Sequence, residues 1–483
     1  MNARYDQGFH WIGNRWVPGA GGQTLPMIDP SDGQPFAAIA RGDARDVDAA
    51  VAAAREAFEG EWGRASALER GRVLMRVAAS IQEHADELAA IESRDCGKPR
   101  GQARGDALAC ARYFEFYGGL ADKVGGYTIP FQAGYTVFAE REPHGVTGHI
   151  VPWNYPLQIF GRTVAAALAA GNACVVKPGE DACLSLLRVA ELAAGCGLPA
   201  GALNLVTGLG SEAGSALTAH PGIDHYSFTG SPETGTLVAQ AAAERHVPVT
   251  LELGGKSPQI VFADADLDAA LPSLVNAIVQ NAGQTCSAGS RLLVERAIYE
   301  PLLARLGKAF DAVRVGPGAA NLACGPLIRR SQLERVARFV EMAERDGLRV
   351  VGRGSIAPDA PAGGFYLAPV LFADVPADHP IAQQEIFGPV LAAMPFEGED
   401  EAVRLANGTR YGLVAGVWTR DGARQMRMAR RLRAGQVFIN NYGAAGGVEL
   451  PFGGVKSSGH GREKGIEGLL SFTTIKTVAV RHG

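Results

Sequence analysis

The sequence runs to 483 residues, with 46 Lys+Arg against 50 Asp+Glu and a formal net charge of −4. At about 150 residues per domain this is about three domains' worth of chain, enough to bury a large core without metals or disulfides. Its 20% charged and 47% hydrophobic residues are ordinary globular material, and so small a net charge excludes a basic field for nucleic acid or a membrane surface.

Met1 to Gly13 has no apolar run of the signal-peptide kind. After a short β-like start the chain turns helical. Asp43 and Asp46 form a capping pair ahead of Val47, Val51, Ala54 and Phe58. Ser66 and Glu69 form an S-x-x-E box, and one helix is expected to follow. It carries Val73, Leu74, Val77, Ile81, Leu88 and Ile91 on one face and ends at Gly97 and Pro99. The segment from Gly119 to Arg141 reads as a hairpin, Tyr127–Ile129 then Tyr135–Ala139.

From about residue 145 short apolar runs alternate with helical segments. The runs are Val146–Val151, Ala173–Val176, Leu203–Val206, His225–Phe228 and Val247–Leu253, with helices starting near Pro156, Asp181, Ser211 and Ser231. This alternation predicts parallel βαβ units covered on both faces, with ligands at the carboxyl ends of the strands. A second α/β stretch runs from Gly254 to Phe452, with helices near Asp266–Asn281 and Ser331–Asp346. The longest uncharged stretch, Ala269 to Ser290, contains Pro272, Asn276, Gln280, Asn281 and Gln284, so it reads as buried helix and loop and not as a membrane span. The tail Leu470–Val480 is extended again, placed to join the hairpin in one sheet or to reach a partner subunit.

Three motif-like stretches carry little. Gly208-Leu-Gly210-Ser-Glu-Ala-Gly214 misses the G-x-G-x-x-G spacing by one and reads as a turn opening a helix. Gly255-Lys256-Ser257 resembles the end of a P-loop, but Thr250 stands where the first Gly is needed. The Arg-rich segment Arg420 to Arg433 reads as a solvated helix face. The histidines show no HExxH pair and no metal-ligand spacing, so no metal site is expected.

The seven cysteines are odd in number, and none forms a CxxC pair. A reducing cytoplasm is the expected setting, with no disulfide framework. Cys174, Cys183 and Cys196 sit in strand or helix contexts and read as buried and inert. Cys286 differs, because Gly283-Gln-Thr-Cys286-Ser-Ala-Gly surrounds it with small residues that let a substrate approach. Glu252 ends an apolar run before Gly254-Gly255, where it is either a structural ion pair or a general base. Asn154, in Pro152-Trp-Asn154-Tyr-Pro156, is either a turn cap or an oxyanion donor.

Taken together, seven segments resemble the aldehyde dehydrogenase superfamily over nearly the whole chain. In order they are PWNYP (152–156), KPGE (177–180), FTGSPETG (228–235), LELGGKSP (251–258), GQTCSAGSR (283–291), EIFGPV (385–390) and PFGGVKSSGHGRE (451–463). The resemblance implies an α/β fold: a Rossmann-like parallel-sheet cofactor domain (1–122 and 144–253), a second α/β catalytic domain (254–455), and a small β oligomerisation arm and tail (123–143 and 456–483). It implies that Cys286 attacks an aldehyde, that Asn154 and the Cys286 N–H hold the oxyanion, and that Glu252 activates water against the resulting thioester. It places NAD, with NADP less favoured, against Trp153, Lys177, Glu180, Gly210, Gly230, Ser231, Leu253, Glu385 and Phe387. Glu180 is suited to the ribose hydroxyls and repels a 2′-phosphate. Tyr155, Arg162 and Phe452 are the implied substrate contacts and Glu463 an implied proton relay, although Thr163 stands where relatives often carry the relay Lys.

Arg162 hints at an acidic aldehyde or semialdehyde, against which stand Gln280, where such relatives carry a second Arg, and a structural salt bridge as the competing role. The expected assembly is a homodimer or homotetramer with a small-molecule aldehyde substrate, without nucleic acid or membrane. Two rivals are a CoA-acylating semialdehyde dehydrogenase, which typically lacks the Glu252 base, and a non-catalytic NAD-binding protein on the same fold.

Overall fold

The computed structural model describes residues 8–482; the stretch 1–7, part of the N-terminus read above for a targeting signal, and residue 483 lie outside the described residues. Two sheets organise the chain. The first has eight strands in the order Arg15–Pro18, Phe9–Ile12, Leu203–Leu205, Ala173–Pro178, Val146–Val151, His225–Thr229, Val249–Glu252 and Gly459–His460. Its five central strands are parallel, and the flanking ones antiparallel. Helices cover both faces, so Ala173–Pro178 and His225–Thr229 are buried throughout, which is why they read as near-continuous runs.

The second sheet has seven strands in the order Arg349–Arg353, Val370–Ala373, Val390–Phe396, Arg291–Glu295, Pro258–Val261, Val414–Trp418 and Gln436–Ile439. All are parallel except the first. Each sheet has its own large apolar core. A third, antiparallel sheet joins Tyr127–Ile129, Tyr135–Pro143 and Thr473–Arg481, so hairpin and tail do meet. The 456–483 segment divides between two sheets, because Gly459–His460 pairs with Val249–Glu252 before the chain reaches the arm.

Several expected elements are corrected. The β-like start is four strands: Phe9–Ile12 and Arg15–Pro18 edge the first sheet, while Thr24–Ile28 and Pro35–Ala40 pair separately. Both capping boxes form, at Asp43/Asp46 and Ser66/Glu69. The single helix expected behind Ser66 breaks into Ala67–Glu83 and Ala85–Cys96 at His84, whose backbone leaves the helical region and whose Nδ1 lies 2.8 Å from Ser80 O. Leu74, Val77, Ile81, Leu88 and Ile91 still enter one core, so the apolar stripe survives the break.

The helix expected near Asp181 begins at Leu184, because the buried Asp95 carboxylate accepts from Leu184 N (2.9 Å) while Asp181 pairs with Arg329. Near Ser211 the chain makes a wide turn, Gly210–Gly214, before the short helix Ser215–Ala219. On the helix Gly422–Arg431, Arg424 pairs with Asp264 (2.9 Å) and Arg431 with Asp400 (2.6 Å), as befits a solvated charged face.

Candidate active site

Asn154 follows the carboxyl end of Val146–Val151, and Glu252 ends the strand Val249–Glu252. Cys286 lies in the loop between the short helical turn Gln280–Gly283 and the strand Arg291–Glu295. All three line one cleft of about 700 Å³, together with Trp153, Glu385 and Phe387. That volume falls within the range for small-molecule and cofactor sites.

Glu252 is 2% exposed, and neither carboxylate oxygen has a hydrogen-bond partner among the described residues. Burial, reinforced by the Glu463 charge, raises its carboxyl well above the ordinary range, against the pull of Arg162, Arg462 and Lys464. A carboxylate with raised proton affinity suits a general base working near neutral pH. Burial also pushes the Cys286 thiol up to about 12, with Arg162 countering, which favours the protonated thiol. Of the two glycines at 254 and 255, the second is required by backbone and the first leaves room for the Glu385 side chain. A Cβ at Gly254 would stand 2.2 Å from Glu385 Oε2, and one at Gly255 would stand 2.3 Å from Cys286 O.

Asn154 is buried, and its Nδ2 donates to Gln284 O at 3.0 Å. An amide nitrogen has a second N–H, which is available to an oxyanion. Asn281 Nδ2 in turn donates to Asn154 O at 2.8 Å. Tyr155 OH lies 2.9 Å from Thr285 Oγ1, and the Lys98 ammonium sits 4.3 Å from its ring centroid. That ammonium pairs with buried Glu92 (2.8 Å) and with Asp106, so the ring rests on a buried ion cluster.

The expected cofactor contacts fall into two groups. Gly230, Ser231, Trp153, Glu385 and Phe387 line the cleft. Ser231 caps the helix Pro232–Glu244, leaving an N-terminus toward the cleft that suits a pyrophosphate. Glu385 accepts from Gly255 N at 2.9 Å, and burial raises its carboxyl to about 7. Phe387 adopts φ 59° and meets Trp153 edge-on, with centroids 5.4 Å apart. Lys177, Glu180, Gly210 and Leu253 stand outside the cleft lining. Lys177 Nζ donates to Glu180 Oε2 at 2.7 Å, and Lys177 Cδ approaches the Gly210–Gly214 turn. Burial pushes the Glu180 carboxyl up, but the charge and hydrogen bond of Lys177, a backbone hydrogen bond and the Arg329 charge together outweigh it, and the net shift is downward. Leu253 packs over Gly235.

The expected substrate contacts Tyr155, Arg162 and Phe452 stand outside the cleft lining. Phe452 packs with Leu413 and Val414, and Cys286 and Tyr442 lie against that cluster. Arg162 is 6% exposed, forms an ion pair with Glu463 and stacks 4.9 Å from the Phe452 ring centroid. Glu463 Oε1 accepts from Ser227 Oγ (2.9 Å), which accepts from Thr163 Oγ1 (2.9 Å). His149 Nδ1 lies 2.8 Å from Thr163 Oγ1, and burial lowers the ring to about 3, so it is neutral. Thr163 thus joins a buried chain of hydroxyls and a neutral imidazole behind Glu463.

Residues that sequence reasoning missed hold the site loops. Gln332 Nε2 donates to Phe387 O (2.7 Å), and Arg335 donates to Glu385 O (2.8 Å) and Ile386 O (2.9 Å). The helix carrying them was legible, but its target was not. Among the described residues no cluster of His, Cys, Asp and Glu is arranged to hold a metal ion, and no helix is long and apolar enough to cross a membrane.

A cysteine loop, a strand-end carboxylate and an amide just past a strand end, around one cleft between two α/β units, make a site of the aldehyde dehydrogenase kind. The model of the "Aldehyde dehydrogenase family" matches residues 16–478, and the chain belongs to that family. Hydroxyisobutyraldehyde dehydrogenase of Mycolicibacterium austroafricanum is 43% identical over 97% of this chain and 93% of its own. Among solved structures, one from Burkholderia cenocepacia is 70% identical with a TM-score of 0.98, covering 99% of this chain and 100% of that one. An aldehyde dehydrogenase from Bacillus cereus, solved as its NAD+ complex, is 39% identical with a TM-score of 0.96, covering 100% of this chain and 98% of that one.

Proposed function

We propose that this chain oxidises an aldehyde to a carboxylic acid with NAD and hydrolyses its own thioester. The observation that carries the reading is the convergence of Cys286, Glu252 and Asn154 on one cleft. Cys286 sulfur adds to the aldehyde carbon, and the Asn154 Nδ2–H and Cys286 N–H take the developing oxyanion. A bound NAD would supply the hydride acceptor, and loss of hydride from the adduct carbon leaves a thioester on Cys286. Glu252 then removes a proton from water as its oxygen adds to the thioester carbonyl. Collapse of the tetrahedral adduct expels the Cys286 thiolate, which regains a proton, and releases the acid.

Trp153, Gly230, Ser231, Glu385 and Phe387 would hold the nicotinamide half and pyrophosphate, and Lys177 and Glu180 the adenosine ribose. The ionised, Lys177-paired Glu180 favours NAD over NADP. Relatives solved with NAD+, from Bacillus cereus and Staphylococcus aureus, support this choice. An acidic aldehyde gripped by Arg162 would have to share that side chain with Glu463. A neutral aldehyde needs no sharing, and the ion pair favours it. The cofactor unit is taken as 1–122 and 144–253 joined by Gly459–His460, the catalytic unit as 254–455, and the arm as 123–143 with Thr473–Arg481, through which the chain assembles as a homodimer or homotetramer.

The test is an aldehyde panel, acidic and neutral at matched chain length, with NAD and NADP, following reduced nicotinamide. Cys286→Ala is expected to lose all turnover and keep NAD binding. Glu252→Gln is expected to keep a hydride burst while steady turnover falls about 10²- to 10⁴-fold. A product that forms only when CoA is added would overturn the hydrolytic reading.

A further inference from the structure

Immediately before the nucleophile, three consecutive residues adopt left-handed backbone: Asn281 (φ 47°), Ala282 (φ 52°) and Gly283 (φ 70°). Two of them carry a Cβ, and left-handed backbone is unfavourable for such residues. It persists only where the surroundings over-determine it. The surroundings here are a set of buried hydrogen bonds. Asn281 N donates to Gln102 Oε1 (2.9 Å), and Asn281 O accepts from Gln284 N (3.0 Å) and Gln284 Nε2 (3.1 Å). Gln284 Oε1 accepts from Ile328 N (2.9 Å).

The part that bears on chemistry is reciprocal. Asn281 Nδ2 donates to the backbone carbonyl of Asn154 at 2.8 Å, and Asn154 Nδ2 donates to the backbone carbonyl of Gln284 at 3.0 Å. Each side chain holds the other loop's main chain, across 127 and 130 residues of sequence. The left-handed turn is what aims the Asn281 amide at Asn154.

We propose that Asn281 and Gln284 are positioning residues for the oxyanion hole, and that their clasp sets the free Asn154 N–H relative to Cys286. The inference rests on the proposed thiohemiacetal chemistry. A donor displaced by about 1 Å from a developing oxyanion loses much of its effect, on the order of tenfold to a hundredfold in rate.

Asn281→Gly separates positioning from mere stability, because glycine accepts the left-handed turn without strain yet has no amide to give. The expected result is a hydride burst at least tenfold slower. NAD affinity, melting temperature and the rate of Cys286 alkylation by iodoacetamide are expected to stay near wild type. In an Asn154→Ala background the same substitution is expected to add less than twofold, since the clasp then has nothing to aim. A burst at the wild-type rate in Asn281→Gly, or an equal loss in both backgrounds, overturns the proposal. Should Asn281→Gly not fold, Asn281→Asp decides by the same two criteria, because it keeps the shape but cannot donate to Asn154 O. A wild-type protein with no burst for any aldehyde sinks the functional reading itself. A wild-type burst unchanged by the substitution sinks only the clasp.

Discussion

Cys286 combines a small-residue loop with a thiol that burial pushes up to about 12. A catalytic thiol is more often lowered by a neighbouring cation or helix N-terminus. Here Arg162 pulls in that direction and does not prevail, because burial is the larger effect and the Glu385 and Glu252 charges add to it. In the proposed reaction the thiol loses its proton when substrate or cofactor changes its surroundings, or to a base such as Glu252, whose proton affinity burial also raises. The sign of the consequence is definite. With the thiol pKa above the working range, the thiolate fraction of the free enzyme rises about tenfold per pH unit. Alkylation of Cys286 by iodoacetamide is expected to follow that slope from pH 7 to 9 without a plateau. A plateau below pH 8 would show a thiolate already formed in the free enzyme.

The helix Pro156–Ala170 shows what one element contributes beyond its own sequence. Pro156 starts it, Gly171 (φ 101°) ends it, and it is buried on nearly every side. It carries Arg162 to Glu463 and Thr163 to Ser227, so a residue from the far end of the chain is held by its charge and its hydroxyl. Replacing Arg162 with Leu leaves the 1% exposed Glu463 without its cation, at an expected cost of about 3–5 kcal/mol in denaturant unfolding. The double variant Arg162→Leu/Glu463→Leu is expected to recover most of that loss. A double variant as unstable as the single one would mean that packing on Phe452, and not the charge pair, is what matters. This same helix marks the limit of legibility. Its start at Pro156, the strand ends bearing Asn154 and Glu252, and the loop of Cys286 were readable because each is written in neighbouring residues. The break at His84, the helix start at Leu184 set by Asp95, and the clasp of Asn281 on Asn154 depend on partners far along the chain or on backbone geometry, which spacing does not display. The sequence does not separate substrate anchor from ion pair for Arg162 for the same reason, since Glu463 is distant along the chain and only folding makes them neighbours.

At the scale of the whole molecule, the arm sheet is the part that the chain alone does not cover. Thr473–Arg481 pairs with Tyr135–Pro143 along its full length, and among the described residues no strand pairs with its other edge. Tyr127 is 60% and Phe131 62% exposed, and Ile475 and Val480 are also open to solvent. A long edge strand flanked by exposed apolar side chains favours association with another strand or surface. Lys476 is engaged by Glu142 across the same pair of strands, so its charge does little to block the edge. A second copy of the chain is the occupant expected for the proposed homo-oligomer. Light scattering of the full-length protein is therefore expected to give two or four chain masses. Ile475→Asp with Val480→Asp places charges beside that edge, and like charges facing across a symmetric contact repel. The double variant is expected to shift toward one chain mass while its two α/β units stay folded, as read by far-UV circular dichroism. Full-length protein already at one chain mass would remove the assembly reading, whereas a variant that keeps the parent mass would move the interface elsewhere on the surface.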